Sequence, residues 1–175
     1  MRVEEMNLVI LSGPIGVGKT TVAEELSGIL EAEGIGHTLI DLDGLSKTFP
    51  RPRGDAFGEQ IALKNLADVW SNARQLGVKN LIIARVVETR SGAERIAAAV
   101  NAPIGCIVQL NASNSTLLAR VRIREIGAAR TWHERRALEL SSAMQSNSIA
   151  DVQVDTDGKT APEVASEIRK MIDFV

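Results

Sequence analysis

The run Gly13-Pro-Ile-Gly-Val-Gly-Lys19-Thr20 satisfies the pattern G-x-x-x-x-G-K-[ST] at every position. Such a loop suits a dense polyanion, which needs many donors at short range. Gly16 and Gly18 let the backbone curl so that successive N–H groups point inward. A helix beginning at Gly18 would add unsatisfied N–H groups and the positive end of its dipole. Lys19 is placed to reach the β- and γ-phosphates. The Thr20 hydroxyl is a hard oxygen ligand for magnesium. Gly13, Pro14, Ile15, Gly16, Val17, Gly18, Lys19, Thr20 and Thr21 therefore form a candidate binding set for a purine nucleoside triphosphate with Mg2+. No Asn-Lys-x-Asp guanine motif is present, which favours ATP.

Three further groups bear on what happens to the phosphate. Asp41 and Asp43 stand two apart after an apolar run, and in an extended chain they share a face. One would serve magnesium and the other would take a proton from a substrate hydroxyl. The residues alone leave open which of Asp41 and Asp43 takes which role. The competing reading is a pair of solvated loop aspartates. Arg120 and Arg124 share a helix face, and Arg122 points away. One guanidinium is suited to stack on adenine and another to neutralise the transferring phosphoryl group. Asp157-Gly158-Lys159-Thr160 is either a base-side contact through Gly158 and Lys159 or simply a turn with an N-cap. Arg51 and Arg53 flank Pro52 and could clamp an anionic substrate. Arg85 sits where an apolar strand ends, so it is expected in the cleft or paired with Asp41 or Asp43. Trp70, His133 and Cys106 are read as packing, structural or exposed, and an inert core thiol, respectively.

The elements that must hold these residues are legible from periodicity. Strand character marks 7–11, 37–42, 81–87, 104–110 and 151–154. Helical spacing marks 20–33, 59–75, 91–100, 113–126, 132–147 and 161–174, with Ser91 and Glu94 as a capping box. The alternation argues for an α/β domain with a mainly parallel sheet over residues 1–175. In such a sheet ligands gather beyond the carboxyl ends of the strands.

Composition sets the class. Hydrophobic residues make up 45% of 175 and charged residues 24%, as in an ordinary globular protein. A net charge of −2 offers no basic field for nucleic acid or anionic membrane. Glu4 and Glu5 precede an apolar run far too short for a signal or a membrane span, so the expectation is cytoplasmic.

With these motifs in place the chain resembles the small P-loop phosphotransferases, the group containing adenylylsulfate kinase, shikimate kinase, gluconate kinase and chloramphenicol phosphotransferase. Asp43-Gly-Leu-Ser-Lys-Thr-Phe-Pro50 is similar to the segment of chloramphenicol phosphotransferase carrying its proposed catalytic aspartate. Asp41 and Asp43 resemble the Asp-x-Asp of shikimate kinase. Arg120-Val-Arg-Ile-Arg124 resembles the paired lid arginines of nucleoside monophosphate kinases. Val152–Thr156 with the following Asp-Gly-Lys159 is similar to the C-terminal end throughout the group. Arg85-Val-Val-Glu-Thr89 stands where adenylylsulfate kinase has Phe-Ile-Ser-Pro-Tyr, and this argues against adenylylsulfate. The glycine cluster after the third strand of shikimate kinase is also missing.

The resemblance implies a P-loop NTP hydrolase fold: three layers, with a five-stranded parallel sheet in the order 2-3-1-4-5. It implies a lid about residues 126–133 and a substrate-side segment about 44–75. It also implies ATP-dependent transfer of the γ-phosphoryl group to a hydroxyl of a small molecule, by a monomer or homodimer. The acceptor stays open among an antibiotic, a nucleoside, a sugar acid and a sulfonucleotide. The alternative is a nucleotide-binding protein or slow ATPase without an acceptor.

Overall fold

The computed structural model describes residues 6–55 and 57–175; Glu4 and Glu5 lie outside them. The element order is β1 (Asn7–Ser12), α1 (Lys19–Ala32), β2 (His37–Asp41), α2 (Leu42–Leu45), α3 (Glu59–Gln75), β3 (Asn80–Ala84), α4 (Arg90–Val100), β4 (Ile104–Asn111), α5 (Asn114–Arg124), α6 (Ala129–Asn147), β5 (Val152–Asp155) and α7 (Ala161–Met171). The strands form one sheet in the order β2-β3-β1-β4-β5, and every pairing is parallel. The order inferred from resemblance is the order observed.

Strand periodicity sorts the core into two halves. Leu8 and Ile10 of β1 face one side with Leu81, Ile83 and Ile107. Val9 and Leu11 face the other with Ile82, Val108 and Leu110. Because successive strand side chains alternate, a central strand buried on both faces must be apolar throughout. Helices α3 and α4 cover the first face through Leu66, Trp70, Ile96 and Val100. Helices α1 and α7 cover the second through Leu26, Leu30, Val164 and Ile168. Trp70 is 2% exposed, so its role is packing.

The register places the functional end. Leu11 and Asp41 both pair with Ala84, so β1, β3 and β2 stop level with one another. The loop after β1, the turn into α2 and the residues after β3 therefore emerge together.

Several boundaries differ from the sequence reading. Strand β2 ends at Asp41, and Leu42–Leu45 coil into α2. Helix α4 is capped by Thr89, whose side chain accepts from the Gly92 amide at 3.2 Å, rather than by Ser91. Ser91 instead accepts from Arg95 Nη1 inside the helix. Helix α6 begins at Ala129, so Trp132 and His133 lie within it. Helix α7 starts with Pro162 in its first turn and a reciprocal Thr160–Glu163 capping box.

Candidate functional site

Glycine makes the β1–α1 loop possible. Gly13, Gly16 and Gly18 have φ of 152°, 85° and 101°. A Cβ on Gly13 would stand 2.6 Å from the Leu110 carbonyl oxygen, and one on Gly16 would stand 2.9 Å from Val121. Position 18 has open space, but its backbone lies in the left-handed region that glycine tolerates. Gly18 is also the N-cap of α1 and supplies no side-chain acceptor. The first-turn amides of α1 thus stay open toward the loop, as an anion requires.

Lys19 folds back over this loop and donates to the carbonyls of Gly13 at 3.0 Å and Pro14 at 3.1 Å. Burial pushes its pKa down to about 8; Asp43 and Asp41 oppose the shift, and Arg124 adds to it. A half-buried ammonium beside a nest of amides is a cationic centre that favours an anion. Arg124 is therefore within electrostatic reach of Lys19, while its Nε donates to Glu125 at 2.9 Å.

Thr20 and Asp41 meet. The Thr20 hydroxyl donates to Asp41 Oδ2 at 2.8 Å, and Asp41 Oδ1 accepts from the Asp43 amide at 3.0 Å. These hard oxygens beside a polyanion site suit magnesium, which binds through one or two protein oxygens plus phosphates. The expected shared face of Asp41 and Asp43 does not form. Asp41 caps α2 and Asp43 lies in its first turn, because the chain leaves the extended conformation at once. The Asp43 side chain turns to Arg85, with Nη1 3.3 Å from Oδ1. Arg85 was expected to pair with one of the two aspartates, and it does. Its Nη1 is buried without a hydrogen-bond partner among the described residues, so this ion pair is not aligned as a hydrogen bond.

Arg120 joins the loop to the far side of the site. Nη1 donates to the Val17 carbonyl at 3.0 Å and to Thr156 Oγ1 at 2.9 Å, and Nη2 donates to the Thr156 carbonyl at 3.2 Å. Thr156 leads into the turn containing Gly158, which has φ 68°, and Lys159, whose Nζ donates to Glu167 at 2.6 Å. Arg122 pairs with Glu134 of α6, away from the loop.

A cavity of about 520 Å3 opens beside the loop. Ile15 of the loop, Asp43 and Arg85 line it, and Leu63, Val86, Ile96, Phe57 and Trp132 supply apolar wall. Ser12 fixes the wall by accepting from the Val87 amide at 2.8 Å. Arg51 and Arg53 are exposed and do not line the cavity. Glu59, Glu88, Arg95 and Arg136 do line it, and the sequence reading assigned none of them to the site. Their partners lie tens of residues away in the chain, so no local pattern marks them.

A parallel sheet in this order with a G-x-x-x-x-G-K-T loop after its central strand defines a P-loop nucleotide-binding protein with the P-loop kinase fold. The chain belongs to the AAA domain family, whose profile matches residues 9–142. No curated protein matches it. Among solved structures it is similar to the tunicamycin resistance protein of Deinococcus radiodurans (TM-score 0.64, 17% identity, 97% of each chain covered). It is also similar to a shikimate kinase from Bacteroides thetaiotaomicron (TM-score 0.64, 18% identity), covering 95% of this chain and 98% of that one. A gluconokinase from Sinorhizobium meliloti 1021 aligns with TM-score 0.60 at 19% identity, over 93% of this chain and 89% of its own. Likeness at this identity establishes the shared fold.

Proposed function

We propose that the chain is an ATP-dependent phosphotransferase that moves the γ-phosphoryl group of ATP to a hydroxyl of a small molecule. The observation that carries the reading is the position of Asp43. It lines the cavity and lies within electrostatic reach of Lys19, so one carboxylate borders both an acceptor-sized space and the phosphate loop. Two of the similar structures are kinases, a gluconokinase and a shikimate kinase, which supports the same reaction class.

In this reading the loop amides and Lys19 hold the triphosphate, Arg120 fixes the loop against Thr156, and Lys159 lies on the base side. Thr20 and Asp41 would hold magnesium, which would supply neutralising charge to the phosphates. The acceptor hydroxyl oxygen forms a bond to the γ-phosphorus as the bond from that phosphorus to the β-bridging oxygen breaks. Asp43 takes the hydroxyl proton, and ADP leaves with the bridging oxygen. Lys19 and Arg124 stabilise charge on the transferring group. Arg85 holds Asp43 toward the cavity. Movement of the segment about 126–133 over the site would exclude water as a competing acceptor. No helix among the described residues is long and apolar enough to cross a membrane, and a cytoplasmic enzyme is part of the proposal.

The test is a metabolite-and-antibiotic screen with γ-labelled ATP, reading label transfer into organic product rather than phosphate release. The expected result is a labelled product in the wild type, lost in Asp43→Asn. Phosphate release without any labelled product would favour a slow ATPase.

A further inference from the structure

Whether the cavity beside the loop takes an anion is decided by how its charges are arranged. Six charged side chains line it, and they form three pairs. Arg85 faces Asp43 at 3.3 Å, Arg95 meets Glu59 at 2.9 Å, and Arg136 meets Glu88 at 2.5 Å. Every cavity arginine thus has its own carboxylate. An anion entering the cavity would meet a carboxylate about as near as each arginine, so attraction and repulsion cancel to first order. Sites built for carboxylates or phosphates present an arginine whose fork is open for bidentate bonding.

Apart from Thr89 and Gly92, the rest of the lining is apolar. The chain contains three phenylalanines and two tryptophans, and one of each, Phe57 and Trp132, lines this cavity. Phe57 is 78% exposed and Trp132 47% exposed, so both offer ring surface that the fold itself does not cover. With Leu63, Val86 and Ile96 they make the apolar part of a lining that also includes Asp43. A volume of about 520 Å3 is the size of a drug-sized ligand site.

We infer that the acceptor is an uncharged molecule with a sizeable apolar, ring-bearing body and one hydroxyl that reaches Asp43. This rests on the phosphotransfer reading and narrows its substrate class: the paired charges disfavour sugar acids, nucleotides and other anionic acceptors relative to neutral ones.

The test measures the cavity without catalysis. Nile red, a neutral apolar fluorophore, is titrated into the full chain without nucleotide and then displaced by ligands that differ chiefly in charge. Naphthaleneethanol is compared with naphthaleneacetate, and methyl shikimate with shikimate. The expected result is saturable Nile red fluorescence, displaced by each neutral member at roughly tenfold lower concentration than its anionic counterpart. In Glu59→Gln, which frees Arg95, the gap narrows in favour of the anions; Glu88→Gln, which frees Arg136, is a second variant with the same expectation. No saturable fluorescence, no displacement by the neutral members, displacement by the anions at equal or lower concentration, or a gap that neither variant moves would each overturn the inference. Calorimetry with MgATP on the same preparation reports the loop separately. Heat with MgATP but no preference for neutral ligands sinks the acceptor class alone. No heat with MgATP sinks the phosphotransfer reading and the acceptor assignment with it.

Discussion

Thr20 Oγ1 donates to Asp41 Oδ2 at 2.8 Å, joining the first turn of α1 to the end of β2. The two residues stand 21 apart in sequence and meet because β1 and β2 both register on β3. This contact brings two hard oxygens, the proposed magnesium ligands, to the rim of the phosphate loop. Asp41→Asn and Thr20→Val should each weaken ATP binding in the presence of Mg2+ by about tenfold or more. Binding measured in EDTA should change little. Calorimetry at both conditions checks this, and equal loss with and without Mg2+ would show a general loop defect instead.

Asp43 is assigned the proton. Asp43→Asn should lower kcat for label transfer by roughly 10²–10⁴-fold while leaving MgATP affinity within a few-fold. Arg85→Met should lower kcat less than Asp43→Asn does, because Arg85 positions the carboxylate and does not touch the reacting atoms. Steady-state kinetics on the acceptor found by the screen separates the two.

Arg120 is a clamp as well as a candidate for the nucleotide. Its guanidinium bonds Val17 and Thr156 at once. Charge-assisted bonds of this kind are worth about 1.5–3 kcal/mol, so Arg120→Ala should destabilise the chain by about that much. Arg120→Lys should recover little, because a point charge cannot span both partners. Urea denaturation measures both.

The loop glycines should differ from one another. Gly13→Ala combines a left-handed φ with a Cβ 2.6 Å from a backbone oxygen, and it should cost roughly 2–4 kcal/mol by overpacking and strain. Gly18→Ala meets open space, so only the backbone term of about 1 kcal/mol remains. Thermal unfolding ranks them.

Cys106 supplies the pH prediction. Burial, then the Asp151 charge, pushes its thiol pKa above the ordinary value. A raised pKa leaves less thiolate at any given pH, so alkylation by iodoacetamide at pH 8 should be slower than that of free cysteine and should climb only at higher pH. The thiol is partly exposed, so the slow rate reports its protonation more than its access.

What the sequence revealed and what it hid follows from range. The loop, the apolar strand before it and the helix after it are contiguous, and each choice of residue is local. Asp41 and Asp43 were identified as a pair, but their directions were not, because an extended chain was assumed where Asp41 already caps α2. Ser91-x-x-Glu94 matched a capping box, yet Thr89 holds the extended backbone that a cap requires, and Ser91 serves Arg95 inside the helix. The pairs Arg95–Glu59 and Arg136–Glu88 span 36 and 48 residues. They exist only once α3, α4 and α6 have packed, so no pattern in the chain could announce them.

The measurement closest to the centre of the account is titration calorimetry of ATP into the folded chain with excess Mg2+, beside Lys19→Met. The account requires saturable heat from the wild type and at least a tenfold weaker response from Lys19→Met. A well-folded wild type that gives no heat with either ATP or GTP would contradict it.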